Sequence, residues 1–334
     1  MTGVRHDTTR ASVLRHWLAC AVMAASGAAT AADQSRDDAW WTGPMLAPSA
    51  AMLPQGHMLI EPYLYDVMPN GRFDMNGTRH ASARAHDIGS LSYILYGLTD
   101  RVSVGLIPRF GFNEPAGAPN SSGLGIGDLT LQAGYGLTRF QDGRLIPAIS
   151  VVIDETLPTG RYERLGRASD GFGAGAYTTG LSIYSQDYLW MPNERILRVR
   201  LDLTYAVSSS VGVHDVSVYG TAGGFRGRAY PGDYFTADAA GEYSVTRNWV
   251  LALDIVYQHD GNTRVSGSLP SAGGVPGVTD FRARSGSGYS LGLAPAIEYN
   301  WNSSIGVLVG VRMIVAGRNA TASVTPAIAL NMVY

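Results

Sequence analysis

The chain contains no lysine and a single cysteine, and its charges nearly cancel. All 25 basic residues are arginine, and with 27 acidic residues they give a formal net charge of −2. A chain this close to neutral lacks the basic face that nucleic acid binding needs, so no nucleic-acid partner is expected. Cys20 lies in the first 32 residues, so the remainder can form no disulfide and no cysteine metal site. No cofactor is expected.

A long apolar run is also missing. Apolar residues make up 46% of the chain, but nowhere do roughly 20 of them follow one another, which is the length that a membrane-spanning helix needs. If such a chain crosses a membrane, it must do so as a closed β-barrel, because open strand edges cannot be hydrogen-bonded in lipid.

The first 32 residues have the features of a cleavable signal peptide. Three arginines precede a short apolar run from Trp17 to Ala25, and Ala29-Thr30-Ala31 fits the small-x-small cleavage pattern. We therefore expect export, with cleavage near Ala31 or Ala32. Residues 33–56 then form a periplasmic N-terminal extension. The sequence does not tell whether this extension plugs a barrel.

From His57 to Tyr334, apolar and polar residues alternate in segment after segment. Clear examples are Val102 to Phe112, Leu197 to Tyr205 and Trp249 to Tyr257. A period of two residues is that of a strand with one apolar face. We count about twelve such strands, joined by connections that alternate between short and long. This pattern predicts an all-β, antiparallel, up-and-down transmembrane barrel over residues 57–334, with both termini periplasmic.

In the segment from Asp87 to Leu98, we place Leu91, Tyr93 and Leu95 outward and Ser90, Ser92 and Tyr96 inward. Two connections fit the pattern less well. The connection from Gln186 to Glu194 is long for a periplasmic turn, and the one from Gly317 to Ala322 is short for an outer loop.

The polar face of the predicted strands carries full charges, which a dry core would not tolerate but a wet lumen does. These charges either set the preference of a pore for ions or solutes, or pair with one another to rigidify a barrel of intermediate width. The pairing interpretation is favoured. The residues expected to line the lumen are Arg101, Arg109, Asp128, Asp154, Arg198, Arg200, Asp202, Asp238, Glu242, Asp254, Glu298 and Arg312.

Aromatic residues cluster near predicted strand ends. This position is typical of the girdles that anchor a barrel in the headgroup layers of outer-membrane lipid. The alternative, a route for an aromatic solute, suits the inward Tyr63, Tyr65 and Tyr96 better. The predicted girdle consists of Trp249, Tyr257, Tyr289, Tyr299, Trp301 and Tyr334.

Three short motifs carry a family resemblance. They are Gly125-Ile126-Gly127-Asp128-Leu129-Thr130-Leu131, Leu157-Pro158-Thr159-Gly160 and the early turn Leu98-Thr99-Asp100-Arg101. Together they resemble the outer-membrane barrels of the MetA-pathway phenol-degradation transporter-like family, from about His57 to Tyr334. The resemblance implies an outer-membrane channel or transporter for aromatic or otherwise hydrophobic compounds. We expect small solutes of this kind to pass through the lumen by diffusion.

The last residues resemble the signal that the barrel-assembly machinery recognises. Leu330, Met332 and Tyr334 match its apolar and terminal aromatic positions, whereas Ala329 stands where that signal usually has glycine. The resemblance therefore implies the assembly machinery as a partner, through Tyr334.

Two other functions stay open. An outer-membrane enzyme acting on lipids would need a serine and a histidine together, and His214 and His259 are available. Neither lies in a recognisable catalytic motif, so no enzyme is expected. The long loops would also suit a structural or adhesive barrel with a sealed lumen.

Overall fold

The structure is a computed structural model that describes residues 35–141, 146–271 and 277–334. The predicted signal peptide, residues 1–32, and Cys20 lie outside the described residues. Within these ranges the only helices are two short 3-10 turns, Arg36–Asp38 and Ala168–Asp170. No helix there is long and apolar enough to cross a membrane.

Almost all the regular structure is β. The strands are β1 (Met58–Phe73), β2 (Arg79–Ala81), β3 (His86–Thr99), β4 (Val102–Ile107), β5 (Arg109–Glu114), β6 (Gly125–Ile126), β7 (Leu129–Thr138), β8 (Ala148–Leu157), β9 (Thr178–Trp190), β10 (Ile196–Ser208), β11 (Val211–His214), β12 (Arg226–Tyr230), β13 (Tyr234–Ser244), β14 (Trp249–Asp260), β15 (Arg264–Pro270), β16 (Val278–Arg284), β17 (Gly288–Asn300), β18 (Ile305–Arg318) and β19 (Ala320–Val333).

The large sheet closes on itself. β1 pairs with β3 on one side and with β19 on the other, and every pairing around the ring is antiparallel. β4 and β5 act as one strand interrupted at Pro108, which has no backbone N–H to donate. The result is a closed twelve-stranded barrel, as the sequence predicts. From a strand spacing of about 4.8 Å and a tilt of about 40°, its backbone diameter is about 24 Å.

The outer and inner faces of the barrel wall follow the alternation of apolar and polar residues along each strand. On β14, Leu251 and Ile255 are 50% and 45% exposed on the outside, whereas Asp254 between them is fully buried on the inside. Aromatic pairs mark two levels of the outer face: Trp249 and Tyr299 at one end, with ring centroids 4.7 Å apart, and Tyr257 and Tyr289 at the other, 6.0 Å apart. These levels are about 26 Å apart along a strand, which at a tilt of about 40° is about 20 Å along the barrel axis, a little less than the apolar band of about 25 Å of an outer-membrane barrel.

Both ends of the barrel segment meet at one rim, which we call the terminal end. The amide of Met58 donates to the Tyr334 carbonyl at 3.0 Å, and the amide of Tyr334 donates back at 2.9 Å. The connections at this end are short. Those at the opposite end, the loop end, are long, except that β18 and β19 are joined by Asn319 alone, in the left-handed region at φ 49°. The two connections that fit poorly in the sequence are explained by longer strands, since β9 reaches Trp190 and β18 reaches Arg318.

The facing of β3 is the reverse of our prediction. Leu91 pairs with Tyr63, and Tyr93 pairs with Glu61, so Leu91, Tyr93 and Leu95 face the lumen. Ser90, Ser92 and Tyr96 are therefore on the outer face. Apolar residues that precede β1, among them Met52 and Leu53, lie in the lumen near this inner face, which therefore carries apolar side chains.

A second, four-stranded sheet stands at the loop end, where the sequence predicts only loops. Its order is β11-β12-β15-β16, and these strands continue the wall strands β10, β13, β14 and β17. One face of this sheet packs around Phe225 and Val213, which are fully buried, together with Tyr162 and Ala176 from the connection between β8 and β9.

Candidate functional site

Residues 39–54 lie inside the barrel as an irregular segment that we call the lumenal arch. The arch enters at the terminal end, where the Trp40 amide donates to the Arg247 carbonyl at 2.9 Å. It returns to the same end, where the Leu53 amide donates to Ser103 Oγ at 3.1 Å. Between these points it reaches the middle of β14. The N-terminal extension therefore occupies the lumen, which answers the question that the sequence left open.

Asp254 holds the apex of the arch. Its carboxylate accepts hydrogen bonds from the amides of Met45 at 3.0 Å, Leu46 at 3.3 Å and Ala47 at 3.0 Å. Arg200 donates through Nη1 to the Ala47 carbonyl at 2.5 Å. Hydrogen bonds to a charged group are about twice as strong as neutral ones, so the apex is fixed to one side of the wall.

Glu298 holds the first part of the arch, at Thr42 and Gly43, in the same way. It accepts from the amides of Thr42 at 2.8 Å and Gly43 at 3.2 Å. Thr42 also donates through its hydroxyl to Asn300 Oδ1 at 2.9 Å. An irregular segment has no backbone partners of its own, so acidic side chains of the wall take the place of a neighbouring strand.

Small residues on the wall make room for the arch. Met45 packs in a cluster of buried alanines from β14, β17 and β19, among them Ala294 and Ala329. At Gly97 a Cβ would lie 2.2 Å from the Pro54 carbonyl oxygen, and at Gly306 it would lie 2.1 Å from Thr42 Oγ1. Neither position can carry a side chain while the arch is in place.

Glu242 forms an ionic network inside the barrel with Arg198 and Arg200. Arg198 donates to both carboxylate oxygens, with its Nε 2.6 Å from Oε2, and Arg200 Nε lies 3.2 Å from Oε2. The Arg198 guanidinium also lies 4.6 Å from the ring centroid of Trp41 in the arch. All three charged side chains are buried, so two arginines share one carboxylate in a dry part of the lumen.

Asp202 and Asp238 face each other without such partners. They are directly paired across β10 and β13. Both are buried, and among the described residues three of their four carboxylate oxygens have no hydrogen-bond partner. Arg312 lies on the inner face of β18, and its Nε likewise has no partner among them.

The remaining predicted lumen residues lie elsewhere on the wall. Asp154 on β8 accepts from Gln132 Nε2 at 2.9 Å, and Arg109 on β5 interacts electrostatically with Asp154. Asp128 lies just before β7 and binds loop amides. Arg101 does not lie in the lumen. It is exposed in the turn at the terminal end, because the β3–β4 pairing has already stopped there.

Sequence reasoning missed several lumen contacts. Glu61 on β1 is buried and accepts from Asn331 Nδ2 at 3.2 Å, and Gln186 on β9 accepts from Ser49 in the arch at 3.2 Å. Glu61 lies on the polar face of an alternating strand, which was the available signal, whereas the sequence places Gln186 in a connection and the structure places it in β9. Tyr93 was missed because its strand was assigned the opposite facing.

The arch divides the lumen into two cavities. The first, of about 300 Å³, lies among the arch residues and is lined by Glu61, Tyr93 and Arg198. The second, of about 510 Å³, lies between the apex and the loop end. Its wall combines the rings of Tyr63, Tyr65 and Tyr93 with aliphatic side chains such as Leu46, Leu91 and Ile314. Polar groups come from Arg312, Asp260, Gln258, Asn319 and several Ser and Thr hydroxyls.

Comparison with known proteins assigns this barrel to a family. A family model described as putative MetA-pathway of phenol degradation matches residues 67–322. The chain belongs to this family. A search of curated proteins found no match.

Among solved structures, the COG4313 outer membrane channel from Pseudomonas putida F1 is 16% identical, with a TM-score of 0.64 over 86% of this chain and 100% of the other. The beta domain of the Bordetella autotransporter BrkA is 9% identical, with a TM-score of 0.45 over 84% and 100%. The Pseudomonas putida toluene transporter TodX is 10% identical, with a TM-score of 0.38 over 84% and 90%. The first likeness shows that this member of the MetA-pathway family has the fold of an outer-membrane barrel.

The motif that carries the resemblance to the MetA-pathway family shapes the loop end. Asp128 accepts from the amides of Gly160 at 2.9 Å and Ala174 at 2.7 Å, and so fixes both ends of the β8–β9 connection. A Cβ at Gly125 would lie 1.8 Å from the ring of Phe172. The glycines therefore let this connection fold against the barrel mouth, and the aspartate holds it there.

A second carboxylate ties the same connection to its neighbour. Asp170 accepts from the amide of Ser122 at 2.7 Å and from its hydroxyl at 2.9 Å. The bond from the Ser122 amide lowers the pKa of Asp170 below its ordinary value. This anchor is therefore present at neutral pH and is lost only as the pH falls through that lowered pKa.

Proposed function

We propose that this protein is an outer-membrane channel for small aromatic or otherwise hydrophobic solutes, which diffuse through the barrel lumen. The observation that carries the proposal is the loop-end cavity. Its volume of about 510 Å³ lies within the range of small-molecule sites, and three tyrosine rings with aliphatic neighbours provide the mostly apolar lining that such sites have. The family membership and the barrel fold support the same proposal.

In this proposal the lumenal arch controls passage. It lies between the loop-end cavity and the terminal end, so a solute can cross only if the arch shifts or if a narrow path remains beside it. The arch is held by side chains of the wall and is not part of the sheet, so it can move without breaking the strand pairing.

A catalytic role finds less support in the structure. His214 lies in the second sheet, where Nδ1 is 2.9 Å from Glu163 Oε2, and His259 is exposed at the end of β14. Among the described residues, neither histidine has a serine hydroxyl as a hydrogen-bond partner. We therefore propose a channel and not an enzyme.

The substitution Asp254→Asn tests the control by the arch. It removes the charge from three hydrogen bonds at the apex, and a charged hydrogen bond contributes about 1 kcal/mol more than a neutral one. A loss of about 1 kcal/mol raises the ratio of released to held arch about fivefold, so we expect more frequent openings and a higher mean conductance. Single-channel recording in planar bilayers measures this, and swelling of proteoliposomes in a small phenolic solute measures passage.

The matched control is Asp154→Asn on β8, which removes an inner-face carboxylate that binds Gln132 and not the arch. We expect its opening frequency to stay at the wild-type value. Equal effects of the two variants would mean that any carboxylate in the lumen influences the opening frequency, and would argue against control by the arch.

We further propose that the terminal end faces the periplasm and that Tyr334 is recognised by the barrel-assembly machinery. The short connections support this orientation. Tyr334 is 63% exposed and its backbone closes onto Met58, so its ring is available at the rim while the strand is paired.

The substitution Tyr334→Ala should lower the amount of assembled barrel in cells several-fold, measured by heat-modifiable migration of membrane fractions on gels. The control is Trp301→Ala, another exposed aromatic of the same rim, which should assemble nearly normally. Both variants should refold into lipid vesicles in vitro. If both lose assembly equally, Tyr334 acts only as a girdle residue.

A further inference from the structure

The second sheet continues the barrel wall without a change of register. At the loop end of the wall, Tyr234 on β13 pairs with Asp260 on β14, and four residues beyond them Tyr230 pairs with Arg264. The same constant register relates the other neighbouring strands of the two sheets. Side chains alternate between the faces of a strand, so a step of four residues returns to the same face. Asp260 lines the loop-end cavity, and Arg264 therefore lies on the lumen side of the second sheet.

Two contacts in the irregular segments between the sheets agree with this assignment. Asp233 accepts a hydrogen bond at 3.0 Å from the hydroxyl of Tyr205, whose side chain is exposed on the outer face of β10. A Cβ at Gly286 would lie 3.1 Å from Asn319 Nδ2, and Asn319 lines the loop-end cavity. Odd-numbered residues of these strands thus stay on the outer side, and even-numbered residues on the lumen side, up to the start of the second sheet.

The lumen side of the second sheet carries a concentration of positive charge, and we call this surface the arginine face. Ser266 on β15 pairs with both Arg228 and Arg282, so these side chains share one face. The opposite face is apolar and includes Val213 and Val265, which are buried. The exposed arginines of the arginine face are Arg226, Arg228, Arg264, Arg282 and Arg284.

Almost nothing in the described part of the chain neutralises the arginine face. Asp280 is the carboxylate that shares it, and none of the five arginines forms an ion pair with a described residue. Arg228 donates to Ser210 Oγ at 2.9 Å, and Arg264 lies 5.7 Å from the ring centroid of Tyr230. The guanidinium groups therefore keep most of their donors free.

The loop-end cavity, which lies next along the lumen, holds one charged residue of each sign. Asp260 accepts from Gln258 Nε2 at 2.8 Å, whereas Arg312 forms no ion pair with a described residue and its Nε has no hydrogen-bond partner among them. Asp202 and Asp238 are buried in the wall and line neither lumen cavity. A solute from the loop end therefore meets an excess of positive charge and then a cavity with an available guanidinium group.

We propose that the arginine face is one wall of a vestibule that collects anions, and that the solutes of this channel are small aromatic anions such as carboxylates and sulfonates. A cleft lined by charge of one sign raises the local concentration of its counter-ions. Arg312 can then bind the acidic group through two parallel hydrogen bonds, while Tyr63, Tyr65 and Tyr93 surround the ring. The inference rests on the proposed channel function and names its solute class.

A gradient of phenyltrimethylammonium benzenesulfonate across a planar bilayer tests this proposal, because it compares an aromatic cation with an aromatic anion of nearly the same size. The reversal potential of the full-length protein gives the ratio of their permeabilities. We expect the wild type to favour the anion about tenfold, the lower end of the effect that a charged cleft has on its counter-ions. The triple variant Arg226→Gln, Arg282→Gln and Arg284→Gln should reduce this preference about threefold or more.

The matched control replaces the same three arginines with lysine, which keeps the charge at each position and should keep the wild-type preference. A second control, Arg101→Gln with Arg139→Gln and Arg195→Gln, removes the same charge from turns of the terminal end and should also keep it. In about 1 M KCl the wild-type preference should weaken, because the Debye length falls from about 10 Å at 0.1 M to about 3 Å. Heat-modifiable migration verifies folding, and the three single glutamine variants, each expected to lower the preference by a smaller factor, replace the triple variant if it does not fold.

The outcomes separate this inference from the channel function. A wild type that passes both ions equally, or prefers the cation, would leave the channel function standing and overturn the anion preference. An unchanged ratio in the glutamine variant, or an equal loss of preference in the lysine variant, would do the same. A wild type that passes neither ion would contradict the channel function itself, and this inference would fall with it.

Discussion

Deleting residues 38–52 should raise the single-channel conductance about threefold or more, because the lumen of a barrel about 24 Å wide is then no longer crossed by chain. The arch leaves cavities of about 300 and 510 Å³ on its two sides, and its removal joins them. We also expect weaker discrimination between solutes, since larger solutes then enter. Conductance in planar bilayers and the swelling of proteoliposomes in a solute series measure the two effects.

The control for this deletion removes only residues 35–37, which precede the arch. Its conductance should equal that of the wild type. If the large deletion conducts no better than the wild type, the arch does not restrict passage. If the full-length protein and both deletions are all closed to ions and solutes, the sealed structural barrel becomes the better explanation, and the channel proposal fails.

Replacing Glu242 with glutamine should lower the free energy of unfolding by about 3–5 kcal/mol, which is the cost of removing one partner from a buried charge network. Glu242 is fully buried and pairs with Arg198 and Arg200, so the substitution removes the carboxylate that the two guanidinium groups share. Urea unfolding in detergent or lipid, followed by tryptophan fluorescence, measures the change.

Asp202→Asn provides a control with the opposite expectation. Asp202 is as buried as Arg198 but faces Asp238, and both of its carboxylate oxygens lack a partner among the described residues. Neutralising it should leave stability unchanged or raise it, because a buried charge without a partner is unfavourable. Equal destabilisation by the two substitutions would mean that any polar change at this wall is harmful and that pairing of Glu242 is not the cause.

The sequence predicts the barrel well because each wall strand separates two different environments. Lipid on one side and polar groups on the other impose the two-residue period, and this period is readable strand by strand. β3 shows the limit of this argument. Its inner face lines the two cavities beside the arch, so Leu91 and Tyr93 are apolar on the lumen side, where the rule expects polar residues.

The arch and the ionic network could not be predicted for a different reason. The arch is held through backbone amides, which are the same for every residue type, so Met45 to Ala47 carry no periodic signal of their contact with Asp254. The pairing of Arg198 with Glu242 depends on the register of β10 against β13. The long connection between these strands leaves that register undetermined in the sequence. The second sheet was missed because its short strands contain glycine, serine and arginine in a pattern that is also typical of loops.

The path of the arch also constrains the order in which the molecule can be built. Its residues precede β1, yet its partners Ser103, Asp254 and Glu298 belong to β4, β14 and β17. β14 and β17 are neighbours, but β4 lies on the other side of the barrel, so the three partners surround the arch only when the ring is complete. Residues that precede every strand are therefore among the last to reach their native contacts, and the arch connects opposite sides of the barrel only after the wall has closed.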